Sequence, residues 1–177
     1  MSRILLGVTG SIAAYKAADL THRLTKDGHQ VDVVLTRSAA EFITPLTLHT
    51  LSGRPVYGYN QFTDNYDDVR HITLARDVDI AIIAPATANI IGKLASGLAD
   101  DHLTTVFTAL RNQPRLIAPA MNTYMYENPI VQQNLAKLLA TGFELIEPTE
   151  ALLACGDIGK GALPPVETIV QRIYARL

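Results

Sequence analysis

The chain has 177 residues, 48% of them hydrophobic and 18% charged, with 11 glycines and 9 prolines, a composition that excludes disordered, collagen-like and low-complexity classes. Fifteen Lys and Arg stand against 17 Asp and Glu, a net charge of −2, so there is no basic excess to neutralise a nucleic-acid backbone or an anionic membrane. At roughly 150 residues per domain, a single domain over residues 1–177 is expected, enough to bury about 70% of the unfolded surface without a disulfide or metal staple.

The N-terminus, Met-Ser-Arg, leads into an apolar run from Ile4 to Val8 that is too short for a signal peptide. No stretch approaches the roughly 18 apolar residues of a membrane span. Cys155 is the only cysteine, so no internal disulfide forms and a reducing compartment fits. A cytoplasmic protein with neither nucleic acid nor membrane as partner is expected.

Arg3 to Val8 reads as the first strand and Val31 to Leu35 as the second, followed by Val78 to Ala84, Arg115 to Ala118 and Phe143 to Ile146. A further short strand lies near Pro55 to Tyr57. Near-continuous Val, Ile, Leu and Ala suits strands covered on both faces of a parallel sheet. Between them the period is helical. Ala13, Ala17, Leu20 and Leu24 share one helix face before Gly28 stops the helix. Leu103, Val106, Phe107 and Leu110 repeat the pattern, as do Val131, Leu135, Leu138 and Leu139, and then Val166, Ile169, Val170, Ile173, Tyr174 and Leu177 behind Pro165. This alternation predicts an α/β fold: a Rossmann-like or flavodoxin-like doubly wound parallel sheet of about six strands with helices on both faces. Ligands bind such sheets beyond the carboxyl ends of the strands.

The chemistry is sought at those ends. Gly7-Val8-Thr9-Gly10-Ser11-Ile12 joins the first strand to a helix, where glycine allows close backbone approach and the helix start favours a phosphate. A bare tight turn is the other reading, since the Gly-x-Gly-x-x-Gly dinucleotide fingerprint is not met. The second strand ends in Thr36-Arg37-Ser38 rather than the acid that holds NAD ribose, so a mononucleotide fits better. Ser38 and Glu41 have capping-box spacing, with or without a phosphate contact. In Ala84-Pro85-Ala86-Thr87-Ala88-Asn89 the amide and small residues suit the polar edge of a ring, while Thr87 and Asn89 also read as helix caps. The helix that follows is expected to set Ile90, Ile91, Leu94 and Leu98 toward the core, and Asp100-Asp101 interrupts it as a turn or a contact region.

His22, His29, His49 and His102 read as surface or structural residues, and His71, taken alone, does too. No spacing among the histidines, Cys155 and the carboxylates makes a metal site. Pro119 and Pro129 bracket Asn122, Met121, Met125, Tyr124 and Tyr126 in a loop costly for mere connection. Leu152 to Leu163 holds Gly156, Gly159 and Gly161 within six residues, the composition of a mobile loop. Cys155 in that loop is either a small apolar packing residue or a chemical thiol.

Taken together these residues resemble the flavin-dependent cysteine decarboxylases, and in particular those that serve coenzyme A biosynthesis. The likeness runs through the Gly-Ser-Ile-Ala-Ala turn at 10–14, His71, Ala-Thr-Ala-Asn at 86–89, Pro-Ala-Met-Asn at 119–122 and Ala-Cys-Gly-Asp at 154–157. Tyr126 stands where such chains often have Trp, and Ala162 where some have Arg.

The resemblance implies FMN bound where protomers of a homotrimer, or a multiple of trimers, meet. It makes Gly10, Ser11, Thr36, Ser38, Thr87, Ala88, Asn89 and Ala120 its contacts. It implies that the thiol of 4′-phospho-N-pantothenoylcysteine is oxidised to a thioaldehyde, carbon dioxide leaves, and the enethiol is reduced to 4′-phosphopantetheine. By the same resemblance His71 is the base near the thiol, Asn122 holds the substrate carboxylate, Cys155 delivers a proton during enethiol reduction, and Ala154 and Leu163 neighbour the substrate. With the chain ending at Leu177, a separate synthetase is expected to make the substrate. Peptide cysteine decarboxylases stop at the enethiol and lack the loop cysteine. Flavin prenyltransferases lack His71 together with Pro-Ala-Met-Asn, and non-catalytic regulatory relatives carry long acidic or Ser-rich extensions.

Overall fold

The apolar runs assemble into one parallel sheet in the computed structural model, which describes residues 1–59, 70–153, 156 and 158–177. In chain order the elements are β1 (Arg3–Val8), α1 (Lys16–Lys26), β2 (Gln30–Leu35), α2 (Pro45–Ser52), β3 (Val56–Tyr57), α3 (Arg70–Asp77), β4 (Ile80–Ala86), α4 (Ala88–Ala95) and α5 (His102–Ala109). They continue as β5 (Arg115–Pro119), α6 (Thr123–Glu127), α7 (Pro129–Ala140), β6 (Phe143–Leu145), β7 (Thr149–Leu152), β8 (Ile158–Ala162) and α8 (Val166–Tyr174).

The sheet order is β3-β2-β1-β4-β5-β6 with every pair parallel. Leu5 of β1 pairs with Asp32 on one side and Ala81 on the other. The chain winds outward from β1 to β3, then returns to β4 and winds the other way. This reversal opens a crevice beyond the carboxyl ends of β1 and β4.

Strand alternation sorts the core into two layers. Ile4, Leu6 and Val8 of β1 face Leu20 and Leu24 of α1, Leu48 of α2, and Ile169 and Ile173 of α8. Leu5, Val34, Ala81 and Ile83 face Leu74 of α3, Ile90 and Ile91 of α4, Phe107 of α5 and Leu135 of α7. Burial on both sides is why the strands read as unbroken apolar runs.

Gly28, at φ +87°, follows the end of α1 as its composition predicts. The short strand near Tyr57 forms as β3. Leu98 departs from the expected core face: it is 52% exposed, because α4 ends at Ala95 and the chain turns at Gly97.

A larger correction concerns 152–163. Leu152 and residues 158–162 belong to the strands of the antiparallel hairpin β7–β8, a small second sheet. Packing explains two of the glycines, Gly159 and Gly161. A Cβ on Gly161 would run into the Met121 carbonyl oxygen, and one on Gly159 would lie 2.5 Å from Thr123 Oγ1. Without side chains there, β8 lies directly on 121–123, where the Met121 N–H donates to the Gly161 carbonyl at 2.9 Å.

Candidate active site

Around the crevice, side chains tie the strand ends together. Thr9, buried after β1, donates its hydroxyl to the Pro85 carbonyl at 2.7 Å and accepts the Thr87 N–H at 3.1 Å. Thr9 therefore ties the turn after β1 to the end of β4. Ser11 Oγ accepts the Ala13 N–H at 3.3 Å and caps the 3₁₀ turn that leads into α1. Gly10 between them is required by a close approach, since a Cβ there would lie 2.5 Å from the Ser38 Cβ.

The loop after β2 differs from its sequence reading. Ser38 has helical backbone angles and makes no capping bond, so the Ser38–Glu41 box does not form. Instead Thr36 Oγ1 accepts the Ala39 N–H at 3.2 Å. The cap falls to Thr36, and the Ser38 side chain is left exposed on the wall of the crevice. In the turn after β4, Thr87 is the N-cap of α4 and accepts the Ile90 N–H at 3.5 Å. Asn89 is not a cap; it sits exposed at the second position of the helix.

Two cavities meet here. The first, of about 500 Å³, is lined by Gly10, Ser11, Thr87, Ala120, Asn122 and Leu163 among others. The second, of about 400 Å³, is lined by Thr36, Ser38, Thr87, Ala88 and Asn89. They share Gly10, Thr87 and Met125. All eight positions expected to touch a flavin line one cavity or the other, in the size range of small-ligand sites.

Asn122 caps α6, its Oδ1 accepting the Tyr124 N–H at 2.9 Å, which fixes the plane of the amide. The two prolines of this costly loop close β5 and open α7. His71, half-buried in the first turn of α3, lines neither cavity. Ala154 and Cys155 lie outside the described residues.

Lys16 escaped the sequence reading. It is the one cation among the described residues lining the first cavity, with its Nζ 3.5 Å from the Leu163 carbonyl oxygen. The available signal was a lysine opening α1, at the helix end where the macrodipole favours acids. Asp100-Asp101 resolves as a turn and a cap. Asp101 and Thr104 form a reciprocal capping box at the start of α5, and Lys93 bridges Asp100 at 2.8 Å and Asp101 at 3.0 Å. Burial pushes the Asp101 carboxyl up, but the Thr104 donors and Lys93 outweigh it and hold it below its usual value.

Among the described residues no group of three His, Cys, Asp or Glu could hold a metal, and no helix is long and apolar enough to cross a membrane. His29 and His49 do structural work: His29 Nδ1 accepts the Ser2 N–H at 3.3 Å, and His49 Nδ1 lies 2.8 Å from the Arg54 carbonyl oxygen.

The family model described as Flavoprotein matches residues 1–177. The chain belongs to the flavoprotein family. It is 51% identical over 176 residues to the probable phosphopantothenoylcysteine decarboxylase of Streptococcus mutans, covering 99% of this chain and 98% of that protein. It is 48% identical to the coenzyme A biosynthesis bifunctional protein CoaBC of Bacillus subtilis, covering 95% of this chain but only 41% of that longer protein. Among solved structures, it superposes on a PPC decarboxylase mutant complexed with pantothenoylaminoethenethiol with a TM-score of 0.89 at 36% identity, covering 98% of this flavoprotein and 97% of that chain. The FMN binding protein AtHal3 gives a TM-score of 0.85 at 36% identity, covering 98% and 95%.

Proposed function

We propose that this flavoprotein, acting as one domain over residues 1–177, binds FMN at the carboxyl edge of its sheet. There it decarboxylates 4′-phospho-N-pantothenoylcysteine to 4′-phosphopantetheine in coenzyme A biosynthesis. The observation that carries the reading is that all eight flavin-contact positions and Asn122 line two cavities joined at Gly10, Thr87 and Met125. The end-to-end likeness to a probable phosphopantothenoylcysteine decarboxylase supports it.

The residues fit the cofactor. Ser38 keeps its hydroxyl out of any cap, Asn89 is exposed at the start of α4, and Arg37 lines the same cavity, in which Lys93 is already held by Asp100 and Asp101. This donor set suits a phosphate and a polar ring edge. When bound, FMN supplies a two-electron acceptor that is restored within the same turnover, so the net reaction is loss of carbon dioxide alone.

The chain's own residues do the rest. His71 takes the thiol proton as the substrate carbon gives up a hydride, which sets the thiocarbonyl beside the leaving carboxylate. Asn122, its amide plane fixed by the α6 cap, holds that carboxylate without neutralising it. Carbon dioxide departs with its electrons moving onto sulfur. Cys155 then protonates the enethiol as hydride returns to the adjacent carbon. Lys16, with its Nζ 3.5 Å from the Leu163 carbonyl oxygen, pairs with the substrate phosphate, while Leu163 and Ala154 border the chain of the substrate.

His71 lines neither cavity of its own chain, which supports a site shared between protomers; the assembly proposed is a trimer or a multiple of trimers, and the location proposed is the cytoplasm. Because CoaBC of Bacillus subtilis is a bifunctional protein more than twice as long as the matched region, a synthetase that makes the substrate is the expected partner. The test is direct. The purified protein should be yellow, release FMN on denaturation, and convert the substrate to equimolar carbon dioxide and 4′-phosphopantetheine. A protein that stays flavin-free when supplied with FMN, or leaves the substrate intact, overturns the proposal.

A further inference from the structure

The hairpin β7–β8 belongs to neither face of the main sheet, yet β8 passes over the Asn122 loop and supplies Ala162 and Leu163 to the first cavity. Gly159 and Gly161 lie against Thr123 and Met121. Lys160 lies between them and points elsewhere. Its ammonium is 2.8 Å from Glu147 Oε2, in the segment that leads into the hairpin, and 5.6 Å from the centre of the Tyr126 ring. The Tyr126 hydroxyl donates to the same Glu147 oxygen at 3.3 Å. Tyr126 itself is buried, on the helix that Asn122 caps, and Gln132 Nε2 of α7 donates to its carbonyl.

We propose that Lys160, Glu147 and Tyr126 form a latch that positions β8 against the Asn122 loop. On this account they are positioning residues for the decarboxylation of the preceding section, on which the proposal rests. Tyr126 and Asn122 sit on one short helix, so a bond from β8 to the Tyr126 ring fixes the distance between the hairpin and the amide that holds the carboxylate. The backbone contact through Gly161 sets where β8 touches, and the latch sets its tilt. Two donors, the Lys160 ammonium and the Tyr126 hydroxyl, converge on one carboxylate oxygen, and the ammonium also lies over the Tyr126 ring, a geometry no single pair would hold.

The stabilisation of the global fold by this cluster is small, because Lys160 and Glu147 are 42% and 61% exposed. Its effect falls on the hairpin. The Lys160 ammonium, hydrogen-bonded to Glu147, is held above its ordinary value and stays charged across the working range.

The chain's own chemistry supplies the controls. Lys160→Met keeps most of the length of the side chain and removes its charge, Lys160→Arg keeps the charge and the cation–ring contact, and Tyr126→Phe keeps the ring without the hydroxyl. In the FMN-loaded protein, hydrogen exchange should quicken at least tenfold at the β7 and β8 amides of Lys160→Met, with exchange in β1 and β4 and the flavin content unchanged. The KM for the phosphorylated substrate should rise several-fold and the share of product released as enethiol should increase. Lys160→Arg should keep both near parental values, and Tyr126→Phe, which loses the Glu147 bond and keeps the ring contact, should fall between the two.

Hairpin exchange that matches the parent protein overturns the latch. Exchange that quickens while KM and product partition stay at parental values also overturns it, because the cluster would then be structural only. If the parent protein itself shows no decarboxylation, the functional reading has failed, and the exchange experiment still decides whether the latch exists.

Discussion

At the amino ends of the strands Asp32 is fully buried, with one oxygen 2.5 Å from Arg3 Nε and the other 2.7 Å from Arg54 Nε. Arg3 also reaches Asp77 at 3.1 Å, and its backbone N–H donates to Asp79 at 2.8 Å. At the carboxyl ends of the same strands, the Ser38 hydroxyl makes no cap, Asn89 is exposed, and Lys16 has a carbonyl at 3.5 Å for a partner. One edge satisfies its polar groups from within the chain; the other holds donors ready for an anion. Net stability is collected at the first edge and spent on preorganisation at the second, the division expected of a doubly wound sheet.

The largest effects are expected at the carboxyl edge. His71→Ala should slow carbon dioxide release by about 10²- to 10⁴-fold, the usual contribution of a general acid or base, while FMN stays bound. Asn122→Ala should fail at the same stage, before any flavin reduction, in stopped-flow absorbance. Near-normal carbon dioxide release by both variants would remove them from the chemistry.

Asp32→Ala attacks the other edge. It leaves two guanidinium groups without their shared acid, and urea unfolding should show a loss of about 3 kcal/mol, the low end for a broken buried pair because both arginines reach solvent. Flavin affinity, measured on the folded protein, should be unchanged. A parallel loss of flavin affinity would mean that the two edges are not separable.

Lys16→Ala should be smaller and specific. A charge-assisted bond to phosphate contributes roughly 1.5–3 kcal/mol, so preference for the phosphorylated substrate over its dephosphorylated form should fall by about tenfold or more, with kcat on the latter little changed. Equal losses on both substrates would place Lys16 in the scaffold.

The smallest effect belongs to Asp101→Ala, which removes a helix cap and should cost about 1 kcal/mol in thermal or urea unfolding. Because the Asp101 carboxyl is held below its usual value in the folded chain, its contribution is complete above the ordinary carboxylate range. It is lost as pH falls through the lowered folded value. The stability difference between parent and variant should therefore shrink in acid, and a difference that grows there would reverse the assignment.

The main sheet was legible because its strands are buried on both faces and its helices carry one apolar stripe, and both are local patterns. β1 runs from Arg3 to Val8 as its composition predicts, and β3 forms where a short strand was expected. The proposed flavin positions come from a family resemblance and the strand-end rule, not from hydrogen-bond geometry; what the fold adds is that they line two joined cavities. Ser38 and Glu41 satisfy the capping-box spacing, yet the cap falls to Thr36, because the approach of Gly10 to Ser38 fixes the backbone there. The hairpin was missed for a related reason. Glycines that suggest mobility in a sequence serve, at Gly159 and Gly161, to let β8 lie on Thr123 and Met121, 36 and 40 residues earlier in the chain. Close approaches between distant segments leave no local signal, and Lys16 and Lys160 acquire their meaning only from what the fold sets beside them.

The account turns on a two-stage reaction in which the enethiol is made and then reduced at one site. Cys155→Ser tests it most directly, since a hydroxyl is a far weaker acid than a thiol. Mixed with 4′-phospho-N-pantothenoylcysteine in the absence of oxygen, this variant should release carbon dioxide, bleach its flavin absorbance and accumulate the enethiol, two mass units below the normal product. Fully reduced 4′-phosphopantetheine formed at an undiminished rate would contradict the account.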